Sequence, residues 1–137
     1  MTTLRITNVT RNSVLATHAK IASTPTQRRN GLIGVTQYEF RPGAGLFLPE
    51  CNAIHTVQMG FPLDVLFVDM LKRQVVKLGL YVGPGLHFDT LIPRELCATL
   101  ELPAGTIEIT GTQVGDLITL MSSAHCSQDE LNQIGAL

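Results

Sequence analysis

Short runs of apolar residues, separated by clusters of glycine and proline, dominate the chain. Valine, isoleucine, leucine and threonine are abundant in these runs, and such residues favour strands. The glycine and proline clusters mark the turns between them. The pattern predicts a long irregular loop over residues 83–95. It predicts strands over residues 4–9, 14–22, 45–49, 53–59, 63–69, 75–82, 98–102 and 117–121.

The segment 63–69 has the strongest strand signal. It consists of leucine, valine and phenylalanine, with Asp64 and Asp69 near its two ends. Apolar residues therefore fall on both faces, which indicates a central strand that is covered on both sides. A polar connection at 71–73 leads into 75–82, and the two segments are predicted to form a hairpin.

A short helix is predicted from its capping signals. Thr24 precedes Pro25, and Gln27 follows three positions after Thr24. This is the spacing of a capping box with proline at the first helical position. The helix is expected to run from Pro25 to about Ile33, with Gly34 near its end.

The predicted elements define the fold class. The same capping spacing at Ser127 and Glu130 predicts a short C-terminal helix over 128–134. The chain is therefore expected to be mainly β, or α+β by some counts. The expected architecture is a compact, barrel-like β fold of about seven strands with one or two short helices. A single domain would span 1–137, with 122–137 as a C-terminal tail.

Composition excludes several classes of protein. The 137 residues are 45% hydrophobic and 15% charged, which excludes a disordered chain. A net charge of −1 provides no basic excess for nucleic acid, so none is expected as a partner. Three cysteines are too few for a disulfide framework. No signal-peptide core or apolar run of about 20 residues occurs, so we expect a soluble, cytoplasmic protein with no membrane partner.

Charge is missing from one stretch in particular. No lysine or arginine occurs between residues 42 and 71, the stretch that contains Cys51, His55 and Asp64. This stretch is therefore the first place to expect a pocket or an interface.

Five motifs follow one another in a characteristic order. They are Gln27-Arg28-Arg29-Asn30-Gly31-Leu32, then Gly45-Leu46-Phe47, then Cys51 with Ile54-His55-Thr56 and Met59 leading into Pro62-Leu63-Asp64-Val65-Leu66-Phe67-Val68-Asp69, then Leu100-Glu101-Leu102-Pro103-Ala104-Gly105, and Gly115-Asp116. In this order they resemble the domain-of-unknown-function family 192 over about residues 14–121. The resemblance implies a compact, β-rich single domain and leaves the activity open. It also implies a short helix or turn over 106–110, where propensity alone favours a strand.

Cys51 and His55 are the candidate catalytic residues. A cysteine paired with a histidine can act as an activated nucleophile. In an extended segment the two residues would lie about 13 Å apart, so pairing requires a turn near Asn52. The alternatives are that His55 belongs to a binding site, or that both residues are structural parts of the core.

Asp64 begins a strand whose other residues are mostly apolar. Its carboxylate must therefore be paired or hydrogen-bonded. Arg28 in the preceding helix is the predicted partner. The pair is either a buried tie that fixes the helix to the sheet, or part of a ligand site formed by Arg28, His55, Met59 and Asp64.

The remaining histidines and cysteines do not predict a metal site. Such a site needs at least a third ligand beside Cys51 and His55. The candidates, none of which has paired metal-ligand spacing, are His18, His87, Cys97, His125 and Cys126. Neither a metal nor a cofactor is expected.

Three functions are compatible with this sequence. The first is a binding or accessory module for a small molecule or a peptide, with a site around Arg28, His55, Met59 and Asp64. The second is a thiol-dependent, hydrolase-like enzyme that uses Cys51 as nucleophile and His55 as base. The third is a structural or interaction protein that acts through an apolar surface. Either a monomer or a homodimer is expected.

Overall fold

Nine strands and two short helices make up residues 3–122, the part of the chain that the computed structural model describes. A single 3-10 turn, Arg94–Leu96, accompanies them. The elements are β1 (Thr3–Asn8), β2 (Ser13–Ile21), α1 (Pro25–Asn30), β3 (Ala44–Leu48), β4 (Ala53–His55), β5 (Leu63–Asp69), β6 (Gln74–Val82), β7 (His87–Asp89), β8 (Cys97–Pro103), α2 (Thr106–Thr110) and β9 (Ile118–Ser122).

Seven of the strands form one curled sheet, a half-barrel, in the order β6-β5-β8-β3-β2-β1-β9. Neighbouring strands are antiparallel except for β2 and β3, which are parallel. The two outer strands approach each other at one end, where Gln74 forms a bridge to Leu117. The remaining strands, β4 and β7, pair as a separate two-stranded sheet. The expectation of a mainly β, barrel-like fold is therefore confirmed.

Strands β3, β5 and β8 form the buried centre of the sheet. Every residue of β3 and β8 is buried, as are the first six residues of β5. Side chains alternate along β5, so Leu63, Val65 and Phe67 enter one hydrophobic cluster while Leu66 and Val68 enter another on the opposite face. The prediction of a strand covered on both faces is confirmed, with the bounds expected. Burial of each such side chain contributes about 1.5–3 kcal/mol.

Asp64 lies inside this centre and is fully buried. Its Oδ1 accepts the backbone N–H of Tyr81 at 2.9 Å. Its Oδ2 accepts the backbone N–H groups of Gly105 at 3.1 Å and Ile107 at 2.9 Å. One carboxylate thus connects β5 to β6 and to the turn that links β8 and α2. The predicted contact between Asp64 and Arg28 is wrong, because backbone donors satisfy this carboxylate.

A β-bulge makes the Tyr81 donor available. Leu63 pairs with Val82 whereas Val65 pairs with Gly79, so Asp64 faces two residues of β6 rather than one. Tyr81 also has a positive φ of 51°. Its N–H then points to the Asp64 side chain.

Helix α1 begins as predicted and ends earlier. The Thr24 hydroxyl accepts the Gln27 backbone N–H at 3.1 Å, and the Gln27 side chain accepts the Thr24 backbone N–H at 3.1 Å. The capping box is therefore confirmed. The helix ends at Asn30 rather than near Ile33, because Gly31 has a φ of 52°, where the helical path cannot continue.

Residues 106–110 form helix α2, as the family resemblance implies and against their strand propensity. Gly105 and Gly111 flank the helix with φ values of 96° and 69°. Glycine takes these left-handed conformations without the strain that other residues incur. These two glycine conformations and the hydrogen bond that the Ile107 backbone N–H donates to the Asp64 carboxylate favour the helix over a strand.

Two segments correct the predicted strand pattern. The predicted loop over 83–95 contains β7 and the start of the 3-10 turn. The predicted strand over 53–59 stops at His55, and Gln58 has a positive φ of 69° in the turn that follows. The predicted C-terminal helix over 128–134 lies outside the described residues. Within residues 3–122, no helix is long and apolar enough to cross a membrane.

We expect Asp64→Asn to lower the free energy of unfolding by about 1–3 kcal/mol, since an amide removes one of the two acceptor oxygens and leaves buried N–H groups unsatisfied. Urea denaturation would measure the change. The control is Asp89→Asn, because Asp89 is exposed, and its effect should stay below about 0.5 kcal/mol. Equal losses in the two variants would contradict the role of Asp64.

Candidate functional site

A cavity of about 340 Å³ opens between the end of α1, the segment 50–56 and one face of β8. Its walls are residues 28–33 and 50–56, together with Met59, Leu63, Arg94 and Glu101. Two of the five sequence motifs line this cavity: the motif that contains residues 28–32, and the motif that runs from Cys51 to Met59. The stretch without lysine or arginine thus supplies one wall.

Strand β8 provides the floor of the cavity. Its side chains alternate, so Ala98, Leu100 and Leu102 pack in the cluster on the other face. Cys97, Thr99 and Glu101 lie on the cavity side. The sequence Ala98-Thr99-Leu100-Glu101-Leu102 is typical of a strand with one solvent-facing side, but this side is covered by chain.

Two contacts fix the segment 50–56 over β8. The Cys51 backbone N–H donates to the Cys97 carbonyl at 3.0 Å. The Thr99 hydroxyl donates to the Cys51 carbonyl at 3.0 Å. These bonds use the Thr99 side chain inside the protein and leave Glu101 as the polar group of β8 that faces the cavity.

Glu101 is the functional candidate that sequence reasoning missed. Glu101 is 5% exposed. It pairs with Leu46 of β3 on one side and with Val65 of β5 on the other. Among the described residues, its carboxyl group makes no hydrogen bond or ion pair. Burial raises the pKa of Glu101 from 4.5 to about 7, since no cation or donor offsets the lost hydration. The sequence signal that could have identified Glu101 is a glutamate inside the predicted strand 98–102. This strand pairs with the segment 63–69 in the sheet.

Helix α1 brings a positive edge to the same cavity. Arg28 is half-buried and donates to the Ser23 carbonyl at 3.2 Å, while Arg29 and Arg94 are exposed. None of the three forms an ion pair with a described residue. Glu50 also lies on this wall. Three arginines and one glutamate, Arg28, Arg29, Arg94 and Glu50, therefore line the cavity.

Cys51 and His55 both line the cavity, but they do not form a dyad. The chain bends at Asn52, near the position where pairing would require a turn. The Cys51 thiol donates to the Ala53 carbonyl at 3.2 Å instead of to the imidazole. The His55 side chain is exposed, and no hydrogen bond joins the two residues. A catalytic role for the pair stays a prediction.

The other predicted site residues divide between cavity and core. Met59 is buried and lines the cavity beside Arg28 and His55. Asp64 lies outside it, on the face of β5 away from Leu63 and Val65, and its oxygens are fully used by backbone donors. Within residues 3–122, no group of three His, Cys, Asp or Glu side chains is placed to hold a metal ion.

The chain belongs to the domain-of-unknown-function family 192. The family model matches residues 6–120 and carries the description "Uncharacterized ACR". This match confirms the resemblance and extends it at the N-terminal side into β1, from residue 6 onward. No curated protein matches the chain.

Two solved structures share the fold. One is a protein of unknown function from Novosphingobium aromaticivorans, 21% identical, with a TM-score of 0.70 over 85% of this chain and 83% of that one. The other, from Sinorhizobium meliloti, is named "putative transcription regulator". It is also 21% identical, with a TM-score of 0.73 over 88% of this chain and 94% of that one. At this identity the likeness concerns the fold alone.

We expect Glu101→Gln to become more stabilising as the pH rises. In the unfolded chain Glu101 ionises above pH 4.5, whereas in the folded protein it ionises only above about pH 7. Between these values unfolding releases a proton, so the wild-type protein loses stability as the pH rises. The difference in unfolding free energy, variant minus wild type, should increase by up to about 3 kcal/mol between pH 4.5 and 8.

Urea denaturation at several pH values would measure this difference. Glu108→Gln is the matched control, because Glu108 is exposed and its variant should follow the wild-type pH dependence. A difference for Glu101→Gln that stays constant with pH would show that the Glu101 carboxyl ionises normally.

Proposed function

We propose that this protein binds a small organic acid, with an anionic head and an apolar body, in the cavity between α1 and β8. The observation that carries the proposal is the group of three guanidiniums, Arg28, Arg29 and Arg94, without ion-pair partners among the described residues. Guanidinium groups bind carboxylate and phosphate oxygens in a bidentate geometry, which makes an oxyanion their natural ligand.

The size of the cavity supports a small molecule. Ligand cavities commonly span about 300–1,000 Å³, and a volume of about 340 Å³ lies at the lower end of this range. Of the two ligands that the sequence predicts, a small molecule or a peptide, this volume favours the small molecule.

The apolar part of the wall supports an apolar ligand body. Leu32, Ile54, Met59 and Leu63 are buried residues of one hydrophobic cluster and also line the cavity. A ligand carbon skeleton that packed on them would gain the free energy of removing apolar surface from water. The combination of this wall with the arginines favours an amphipathic acid over a bare inorganic anion.

Benzoate is a suitable probe, and benzyl alcohol is its uncharged counterpart. Benzoate should bind and shift backbone amide resonances of residues 28–33 and 50–56, and benzyl alcohol should bind much more weakly. We expect Arg28→Ala to weaken benzoate binding by about tenfold, the scale of one charge-assisted hydrogen bond. Arg5→Ala, on β1, is the control and should leave binding unchanged. Shifts confined to other residues, or equal binding of the two probes, would overturn the proposal.

Thiol chemistry is the second candidate function, because Cys51 and His55 line the same cavity. If His55 served as the base for Cys51, His55→Ala would slow alkylation of the Cys51 thiol by roughly 100-fold, the scale of general-base assistance. We expect the rate to change little, since the thiol donates to the Ala53 carbonyl. Peptide mass spectrometry after timed iodoacetamide treatment would measure the rate at Cys51 alone.

The third hypothesis, an apolar interaction surface, stays a prediction. Part of the stretch 42–71 lacks lysine and arginine because it supplies the buried strands β3 and β5. The oligomeric state, monomer or homodimer, stays a prediction.

A further inference from the structure

We propose that Glu101, in its protonated form, donates a hydrogen bond to a second oxygen of the ligand, so that the site recognises organic acids with a carbonyl group opposite their carboxylate. This inference rests on the proposed function, because it assigns the ligand of the same cavity. It adds a second recognition point at the floor of the site to the arginines at the mouth.

The first support is the position of Glu101. Glu101 is 5% exposed and lines the cavity. It has no hydrogen-bond partner among the described residues. Among the described residues, no fully buried side-chain nitrogen or oxygen lacks a hydrogen-bond partner, so the Glu101 oxygens reach open space, and the cavity provides it. A carboxyl group in this position can hydrogen-bond to a ligand that enters the cavity.

The second support is the absence of anything that would hold the Glu101 carboxyl in its charged form. Its two strand neighbours, Leu46 and Val65, are apolar. The charged and titratable groups of the cavity are Arg28 and Arg29 from α1, Glu50, Cys51 and His55 from the segment 50–56, and Arg94 from the 3-10 turn. None of them contacts Glu101 by a hydrogen bond or an ion pair.

The consequence is a neutral acid with an unused O–H donor. Burial raises the pKa of Glu101 to about 7, so the carboxyl group is half protonated near pH 7 and mostly protonated at pH 6. A protonated carboxyl group donates one hydrogen bond and requires an acceptor. A carbonyl oxygen fits this requirement, whereas an ammonium group would require the charged carboxylate.

The carboxylate and the carbonyl of the ligand must occupy different places in the cavity. Arg29 and Arg94 are exposed, while Glu101 is buried. No guanidinium lies within ion-pair distance of Glu101 among the described residues. A para-substituted aromatic acid carries its two groups at opposite ends of a rigid ring, so one molecule offers an oxygen to each recognition point.

The test compares 4-acetylbenzoate with benzoate by isothermal titration calorimetry at pH 6 and pH 8.5. Both probes stay ionised at their carboxylates, so the ratio of their affinities isolates the acetyl oxygen. His55, Cys51 and the arginines act on both probes and cancel in this ratio. In the wild-type protein we expect 4-acetylbenzoate to bind about fivefold to tenfold more tightly than benzoate at pH 6, and the advantage to disappear at pH 8.5.

Two variants separate the hydrogen bond from general effects on the fold. Glu101→Gln retains an N–H donor that does not titrate, so the advantage of 4-acetylbenzoate should persist at both pH values. Glu101→Met has a similar size and no donor, so the advantage should be lost at both. Glu108→Gln is the control, because Glu108 is exposed on α2 and does not line the cavity, so this variant should bind both probes as the wild type does. Urea denaturation reports whether each variant is folded.

The possible failures are distinguishable. If benzoate binds and the acetyl group gives no advantage, or an advantage that Glu101→Met retains, the role of Glu101 is wrong while the proposed function stands. An advantage that grows at pH 8.5 would likewise overturn it, since it would require the charged carboxylate. If neither acid binds, the proposed function fails and this inference fails with it.

Discussion

The buried carboxylate of Asp64 is the interaction on which the arrangement of this protein depends most. Three backbone N–H groups from β6 and from the turn after β8 converge on it. Each would be unsatisfied without it, at a cost that is large against the typical stability of a small domain. Glu101 lies in the strand that precedes this turn and pairs with Val65, the residue next to Asp64.

Much of the fold could be predicted, because it follows from local patterns. The apolar run of β5 predicts a strand covered on both faces, and the capping box at Thr24 predicts the start of a helix. Both were identified from the sequence. The end of α1 and the helix over 106–110 were harder, since they depend on glycine conformations at Gly31, Gly105 and Gly111. Only the resemblance to family 192 indicated the second of these against strand propensity.

The site was predicted in part, for a related reason. Arg28, Cys51, His55 and Met59 were placed around one site and do line one cavity. Asp64 was assigned there because an aspartate among apolar residues suggested a charged partner. Its actual partners include a backbone N–H that a bulge in β6 makes available, and such a bulge leaves no signal in the sequence around Asp64. Glu101 was missed because alternation in β8 predicts a solvent-facing side, and only the folded chain reveals that the segment 50–56 covers it.

The proposed ligand recognition depends most on Glu101, an acid in the cavity that has no partner among the described residues and is protonated below about pH 7. Carbon-13 NMR titration of the Glu101 carboxyl carbon, assigned by its loss in Glu101→Gln, measures this state directly. The account predicts a titration midpoint near pH 7, which 4-acetylbenzoate moves to higher pH. A midpoint near pH 4.5, as for an exposed glutamate and unmoved by this acid, would contradict it.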